Sequence, residues 1–184
     1  MVKFVVFVVT SILIAHVSRE PLRNPHSHGF YRFFAWESIL ALLVLNLDDW
    51  FLDAFAPHQV VAWILLILSL YPLIDGLRRL KRAGYPDPDR GDNDEALLDM
   101  EKTTHLITDG TYRFIRHPLY SSLLLLAWGT FFKSPSWRDL ALALAASAFL
   151  YITAKIEEGE NLNYFGTTYK EYMGETKMFI PFIF

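Results

Sequence analysis

Val60-Val61-Ala62-Trp63-Ile64-Leu65-Leu66-Ile67-Leu68-Ser69-Leu70-Tyr71-Pro72-Leu73-Ile74 contains no charged residue. Extended to Leu77, this run approaches the ~20 helical residues needed to cross a hydrocarbon core of about 30 Å. Four more apolar runs flank it: Phe4–Val17, Phe33–Leu52, Leu119–Phe132 and Leu140–Ile156. The chain is 53% hydrophobic yet 20% charged. Both values hold at once because the charge is kept out of the apolar runs. The expected fold is an all-α integral membrane protein of about five transmembrane helices, with an amphipathic helix at the C-terminus. Phe4–Val17 and Leu119–Phe132 are short, so they tilt little, thin the bilayer or lie partly at the interface. A second reading of Phe4–Val17 is a cleaved signal peptide, since Lys3 precedes an apolar run. Ala15-His16-Val17-Ser18 is not a small-x-small cleavage site, however.

If all five runs cross, basic residues sort sharply by side. Only Lys3, Lys133 and Arg138 fall on one side, and the other fourteen of the seventeen fall on the opposite side. The positive-inside rule makes the richer side cytoplasmic, with the N-terminus outside and the C-terminus inside. The expected organisation is a single domain, 1–184. Residues 1–77 form three transmembrane helices, 78–117 a cytoplasmic loop, and 118–184 a helical hairpin with a C-terminal site segment. A net charge of −3 is too small to imply nucleic acid. The absence of cysteine excludes thiolate metal sites and cysteine nucleophiles. No metal is expected. No strand–turn–helix unit with a glycine fingerprint occurs, which argues against a soluble dinucleotide-type domain.

The polar stretch opens with Arg78-Arg79-Leu80-Lys81-Arg82, a helix end placed to reach lipid headgroups. A turn-rich acidic run, Gly84 to Asp94, reads as a solvated loop. The chemistry concentrates in Thr104-His105-Leu106-Ile107-Thr108-Asp109-Gly110-Thr111-Tyr112-Arg113-Phe114-Ile115-Arg116-His117-Pro118-Leu119-Tyr120. Pro118 suits the first turn of a helix, and a helix start offers free N–H groups to an anion. Arg113 and Arg116 share a face if the turn between them is helical. Headgroup anchoring explains the arginines and tyrosines but not His117-Pro118 or the Gly110 turn. A second cluster, Glu157-Glu158, ends an apolar helix on the same side. It reads either as a cation-binding pair or as a helix terminus reaching water. Leu162, Phe165, Tyr169 and Tyr172 then recur at helical spacing, which reads as packing on the membrane or the domain.

Gly110-x-Tyr112-x-x-x-Arg116-His117-Pro118-x-Tyr120, then Glu157-Glu158, then Phe165-Gly166-x-x-Tyr169-x-x-Tyr172 and Ile180-Pro181, resemble the isoprenylcysteine carboxyl methyltransferase and phospholipid methyltransferase family. The resemblance covers about residues 104–181, and residues 1–95 share only the apolar profile. It implies S-adenosylmethionine as cofactor and a lipophilic, membrane-dissolved acceptor. By position, it implies that Thr104, His105, Leu106, Ile107, Gly110, Tyr112, His117, Pro118, Leu119, Tyr120 and Glu157 form the cofactor site. Arg116 and Glu158 are the implied catalytic pair. An arginine or helix terminus suits the cofactor carboxylate. A carboxylate suits its ammonium or ribose, and aromatic faces suit its adenine or sulfonium.

One position departs from the family. Isoprenylcysteine methyltransferases carry a substrate-binding arginine four residues before the first glutamate, where this chain has Thr153. Carboxyl methylation is therefore not the expected reaction, and an amine, thiol or hydroxyl acceptor stays open. Within His28–Glu37, Arg32 and Glu37 are further candidates for the substrate, because an acid in an apolar run needs a partner or a cavity. Headgroup depth is the alternative for Glu37. Two other function classes compete. Membrane sterol reductases that use NADPH resemble the Arg-His-Pro-x-Tyr turn and the aromatic tail, but lack the paired glutamates. A non-catalytic lipid-binding protein would need neither His117-Pro118 nor Glu157-Glu158.

Overall fold

The computed structural model describes residues 1–83 and 105–183. Thr104 and the acidic run from Gly84 to Asp94 lie outside the described residues. Among the described residues the chain is helical, with α1 Val2–Val17, α2 Arg19–Arg23, α3 His28–Leu45, α4 Pro57–Ala83, α5 Pro118–Phe131, α6 Trp137–Phe165 and α7 Thr167–Glu175. Short 3₁₀ turns occupy Leu47–Asp49 and Gly110–Arg113. Each of the five apolar runs lies in a helix, but several boundaries differ from the sequence reading. Helix α3 begins five residues before Phe33 because the Ser27 hydroxyl caps the Phe30 N–H. It ends at Leu45 rather than reaching Leu52. There the Asn46 backbone N–H and side-chain amide both donate to the Leu42 carbonyl, closing the last turn. Helix α4 runs on through the basic cluster to Ala83, so residues 78–83 are helix, not loop.

Two helices, Pro57–Arg82 and Trp137–Phe165, are long and apolar enough to cross a membrane, and α1 and α5 are shorter apolar helices. On α1 and α4 most apolar side chains face outward, whereas α5 and α6 contribute to the core. Along α4, Val60, Val61, Ile64, Ile67, Leu68, Leu70, Tyr71 and Ile74 are all exposed. No residue of α1 is buried. A surface this apolar is tolerable only where the surroundings are apolar too.

The core is built from small residues on facing helices. Ala35 and Leu42 of α3 meet Ala143, Ala146, Leu150 and Ala154 of α6, all with 0% exposure. Small side chains allow close helix approach and the van der Waals contact that helps hold apolar helices together. Helices α4 and α5 approach closely at Gly129. A Cβ there would lie 2.9 Å from Leu66 Cγ and 3.1 Å from the Leu66 backbone nitrogen.

The two ends of the bundle differ in chemistry. At one end, Lys3 pairs with Asp48 at 2.8 Å. Beside it Lys133 is 1% exposed. Its ammonium donates to the Trp50 carbonyl at 3.2 Å and to Gln59 Oε1 at 3.0 Å, and sits 3.5 Å over the Trp63 ring. Burial pulls the Lys133 pKa below its ordinary value. At the other end, His28 Nδ1 lies 2.5 Å from Glu160 Oε2, joining the start of α3 to the last turns of α6. Helix α6 has 29 residues. At 1.5 Å per residue it is about 43 Å long, well beyond a ~30 Å apolar core. It exceeds that thickness by about two turns, and the candidate site is built on its last turns.

Candidate active site

The start of α5 supplies the first wall. Pro118 takes the first helical turn and His117 is the N-cap. First-turn amides have no carbonyl one turn back, so this end carries free donors and positive dipole character. The His117 ring stacks on Tyr120, with centroids 5.4 Å apart and an interplanar angle of 12°.

The residues before this helix are fixed by the chain's C-terminal segment. Lys177 N–H donates to the Phe114 carbonyl at 3.0 Å, Arg116 N–H to Lys177 at 2.8 Å, and His117 N–H to Met178 at 3.2 Å. The Arg116 side chain completes the join. Its Nε donates to Glu158 Oε1 at 2.7 Å, and its Nη1 donates to the Thr176 and Met173 carbonyls at 2.6 and 3.2 Å. Lys155 Nζ donates to the other Glu158 oxygen at 3.1 Å. Arg116 and Glu158, the implied catalytic pair, are thus committed to each other and to the backbone of the C-terminal segment. Removing one member of such a buried pair costs about 3–5 kcal/mol, because the other charge is left uncompensated.

The second wall is the projecting end of α6. Glu157, Asn161 and Phe165 are spaced four apart, so they share one face, and all three line a cleft against α5. Leu106, Ile107 and Tyr112 line it from the connecting segment, Leu80 from α4, and Tyr169 and Tyr172 from α7. The cleft is narrow and open to solvent, with about 90 Å³ of water-accessible space. Gly166, at φ +59, sits between α6 and α7 and supplies the left-handed turn that folds the tyrosines back over the cleft. Tyr172 donates its hydroxyl to the Tyr112 carbonyl at 2.6 Å. Burial pushes the Tyr169 phenol pKa up, reinforced by the Glu157 charge, and burial likewise raises Tyr172. Both phenols therefore stay neutral at physiological pH.

Two buried polar atoms at this cleft have no hydrogen-bond partner among the described residues: His117 Nε2 and Glu157 Oε2. His117 Nδ1 is 3.7 Å from Glu157 Oε2, and Nε2 is 3.6 Å from Glu158 Oε1. Both separations exceed hydrogen-bond length. A buried donor or acceptor left unmade costs about 1–3 kcal/mol.

Of the residues singled out in the sequence, Leu106, Ile107, Tyr112, Arg116, His117, Pro118, Leu119, Tyr120 and Glu157 line this one cleft. His105 is exposed and Gly110 sits in the 3₁₀ turn, and neither belongs to the lining. Thr104 lies outside the described residues. Arg113 is exposed and does not share a face with Arg116, because the 3₁₀ turn ends at Arg113. The substrate candidates are elsewhere. Thr153 is 0% exposed and its hydroxyl donates to the Phe149 carbonyl at 2.7 Å. Arg32 is buried, with its guanidinium 5.1 Å from the Trp36 ring centroid. Glu37 accepts from the Ser11 hydroxyl at 2.7 Å on α1.

The sequence reading missed Leu80 and Asn161, and assigned Phe165, Tyr169 and Tyr172 to packing alone. Asn161 and Phe165 were readable by four-residue steps from Glu157, had α6 been extended past Ile156. Tyr169 and Tyr172 do pack, at 2% and 6% exposure, and they line the cleft as well.

The sequence profile of the phospholipid methyltransferase family matches residues 57–168, more than half of the chain. Methanethiol S-methyltransferase 2 of Bradyrhizobium diazoefficiens is 33% identical over 73 residues, which are 40% of this chain and 27% of that protein. The methanethiol S-methyltransferases of Pseudomonas sp. and Pseudomonas deceptionensis are 30% and 29% identical over 70 residues, covering 38% of this chain and 26% of each relative. The similarity thus spans about a quarter of the length of these relatives.

Proposed function

The chain belongs to the phospholipid methyltransferase family, and from that membership and the chemistry of the cleft we propose that it transfers a methyl group from S-adenosylmethionine to a lipophilic acceptor held in the bilayer. One observation carries the reading. His117 Nε2 and Glu157 Oε2 are buried and unpartnered among the described residues, in an aromatic cleft at a helix N-terminus. These groups fit the cofactor's chemistry. Glu157 accepts from an ammonium or ribose hydroxyl. His117 and the first-turn amides of α5 face an anionic group. The rings of Tyr112, Tyr120, Phe165, Tyr169 and Tyr172 suit an adenine and a sulfonium.

S-adenosylmethionine, when bound, supplies a methyl group activated on sulfur. The protein's own contribution is to align the acceptor with that methyl and to exclude water. Arg116 and Glu158 serve as positioning residues in this reading, since they fix the Phe114–His117 segment against the C-terminal segment. Tyr169 and Tyr172, whose phenols burial keeps neutral, serve as walls rather than proton acceptors. We read α1, α3, α4, α5 and α6 as five membrane crossings, with the N-terminus outside and the cleft on the cytoplasmic side. The sorting of basic residues supports this. So does the clustering of Lys3, Asp48 and Lys133 at the end away from Glu157.

The acceptor enters sideways from lipid and the charged cofactor from water, so the reactants meet from different phases. The test is methyl transfer from labelled cofactor in proteoliposomes. The panel offers an aminophospholipid, a prenylcysteine, short water-soluble analogues of each, and methanethiol. The lipid forms are expected to turn over faster than their soluble analogues, and the reverse order would overturn lateral entry. With Thr153 where prenylcysteine enzymes carry arginine, the prenylcysteine carboxylate is expected to be a poor acceptor. The names of the similar proteins favour a second reading, a small thiol acceptor. Methanethiol outpacing every lipid would establish it. NADPH oxidation with no methyl transfer would replace the methyltransferase reading with the reductase one.

A further inference from the structure

We propose that Asp75, on α4, is a positioning residue that sets cofactor affinity by holding the wall of the cleft that carries Tyr112. The proposal rests on reading the cleft as the S-adenosylmethionine site. Asp75 stands about two turns before the end of α4, which closes at Ala83, outside every motif singled out in the sequence. A single oxygen, Oδ2, accepts three hydrogen bonds. Thr111 N–H donates at 2.8 Å, the Thr111 hydroxyl at 2.5 Å, and Arg79 Nε at 2.8 Å. Arg79 in turn pairs with Asp109. The guanidinium also fills the place where a Cβ at residue 110 would stand, and Gly110 has φ +56. The turn Asp109–Thr111 is therefore latched to α4 at both ends, with a residue between that only glycine accommodates.

The latch acts on the cleft through its next residue. Tyr112 lines the cleft, and its carbonyl receives the Tyr172 hydroxyl from α7. Asp75, Thr111, Tyr112 and Tyr172 thus form a continuous bonded path from α4 to α7, along the side of the cleft that Tyr112 and Tyr172 line. Leu106 and Ile107, on the same segment, contribute to the same wall. Asp75 itself does not line the cleft, and no atom of it reaches the reacting groups. Its influence is on where the wall stands. Three donors converge on one oxygen only because that oxygen is anionic, since charge-assisted bonds are about twice as strong as neutral ones.

The experiment compares full-length chains in detergent, by calorimetric titration with S-adenosylmethionine and by turnover at saturating cofactor. Asp75→Asn keeps an acceptor oxygen but removes its charge. Its dissociation constant for the cofactor is expected to rise about tenfold, the equivalent of one charged hydrogen bond, with kcat within about twofold of wild type. Thr111→Val removes only the hydroxyl donor and is expected to raise the constant about threefold. Thr111→Ser is expected to restore it. This pair keeps the test decisive if Asp75→Asn does not fold. Unchanged cofactor affinity in folded Thr111→Val, or a fall in kcat with affinity intact, would overturn the role. Failure of the wild-type chain to bind S-adenosylmethionine would instead overturn the reading of the cleft, a result visible before any variant is made.

Discussion

Glu157 and His117 carry the most specific chemistry of any residues in the cleft. Each presents a buried polar atom with no partner among the described residues. His117 caps the start of α5, and Glu157 lies about two turns before the end of α6. Glu157→Gln preserves shape and removes charge. Cofactor affinity is expected to fall by about 1.5–3 kcal/mol, the range for hydrogen bonds to charged groups. His117→Ala is expected to weaken binding as well, because it removes both a donor and the ring stacked on Tyr120. Calorimetry that finds wild-type affinity in both variants would remove these residues from the site. Arg116 is different in kind. Its guanidinium bonds are spent on Glu158 and two carbonyls, so its loss is expected to register first as instability.

At the scale of elements, the geometry of the site depends on how closely α4 and α5 approach. His117 and Pro118 begin α5, while Leu80 and the Asp75 latch belong to α4. Gly129 sets the distance between these helices, since a Cβ there would press on both the side chain and the backbone of Leu66. Gly129→Ala is expected to destabilise the protein by about 1–3 kcal/mol, the usual cost of overpacking a close contact. A melting temperature in detergent equal to wild type would show that the helices can separate without penalty. Most of the elements were legible in the sequence. The five apolar runs each became part of a helix, because backbone groups in an apolar setting must bond within their own segment. Their ends were less legible. Ser27, Asn46 and the continuation of α6 to Phe165 depend on caps and on polar residues that an apolar profile passes over.

For the whole molecule the expectation is two ends of unlike charge on opposite sides of the bilayer. Lys133, counted among the few basic residues on the outer side, is buried against Trp50 and Trp63. It is therefore less available to headgroups, and the asymmetry of accessible charge is sharper than the sequence count. The absence of native cysteine makes the orientation directly measurable. A cysteine introduced in the 48–58 loop is expected to react with an impermeant reagent from outside, and Arg90→Cys only after permeabilisation. The opposite pattern would invert the orientation.

The amino-acid sequence by itself determined that the chain is helical, where its apolar runs lie, and which short motifs carry polar chemistry. These are properties of neighbours in the chain: hydropathy over a window, a proline at a helix start, glutamates at a helix end. Only the tertiary structure decided which of those motifs meet. It brought Glu157 to His117 across forty residues and folded Tyr169 and Tyr172 over the cleft. It kept Thr153, Arg32 and Glu37 out of the cleft lining, each engaged with its own neighbours. The Asp75 latch was likewise invisible in the sequence. Arg79, four residues on, is a local partner that helical spacing gives, but Thr111 lies 36 residues away and is brought to Asp75 only by packing. The physical reason is the range of the forces involved. Helix formation is settled within a few turns of chain, whereas a binding site requires polar groups from distant segments to converge where water is excluded.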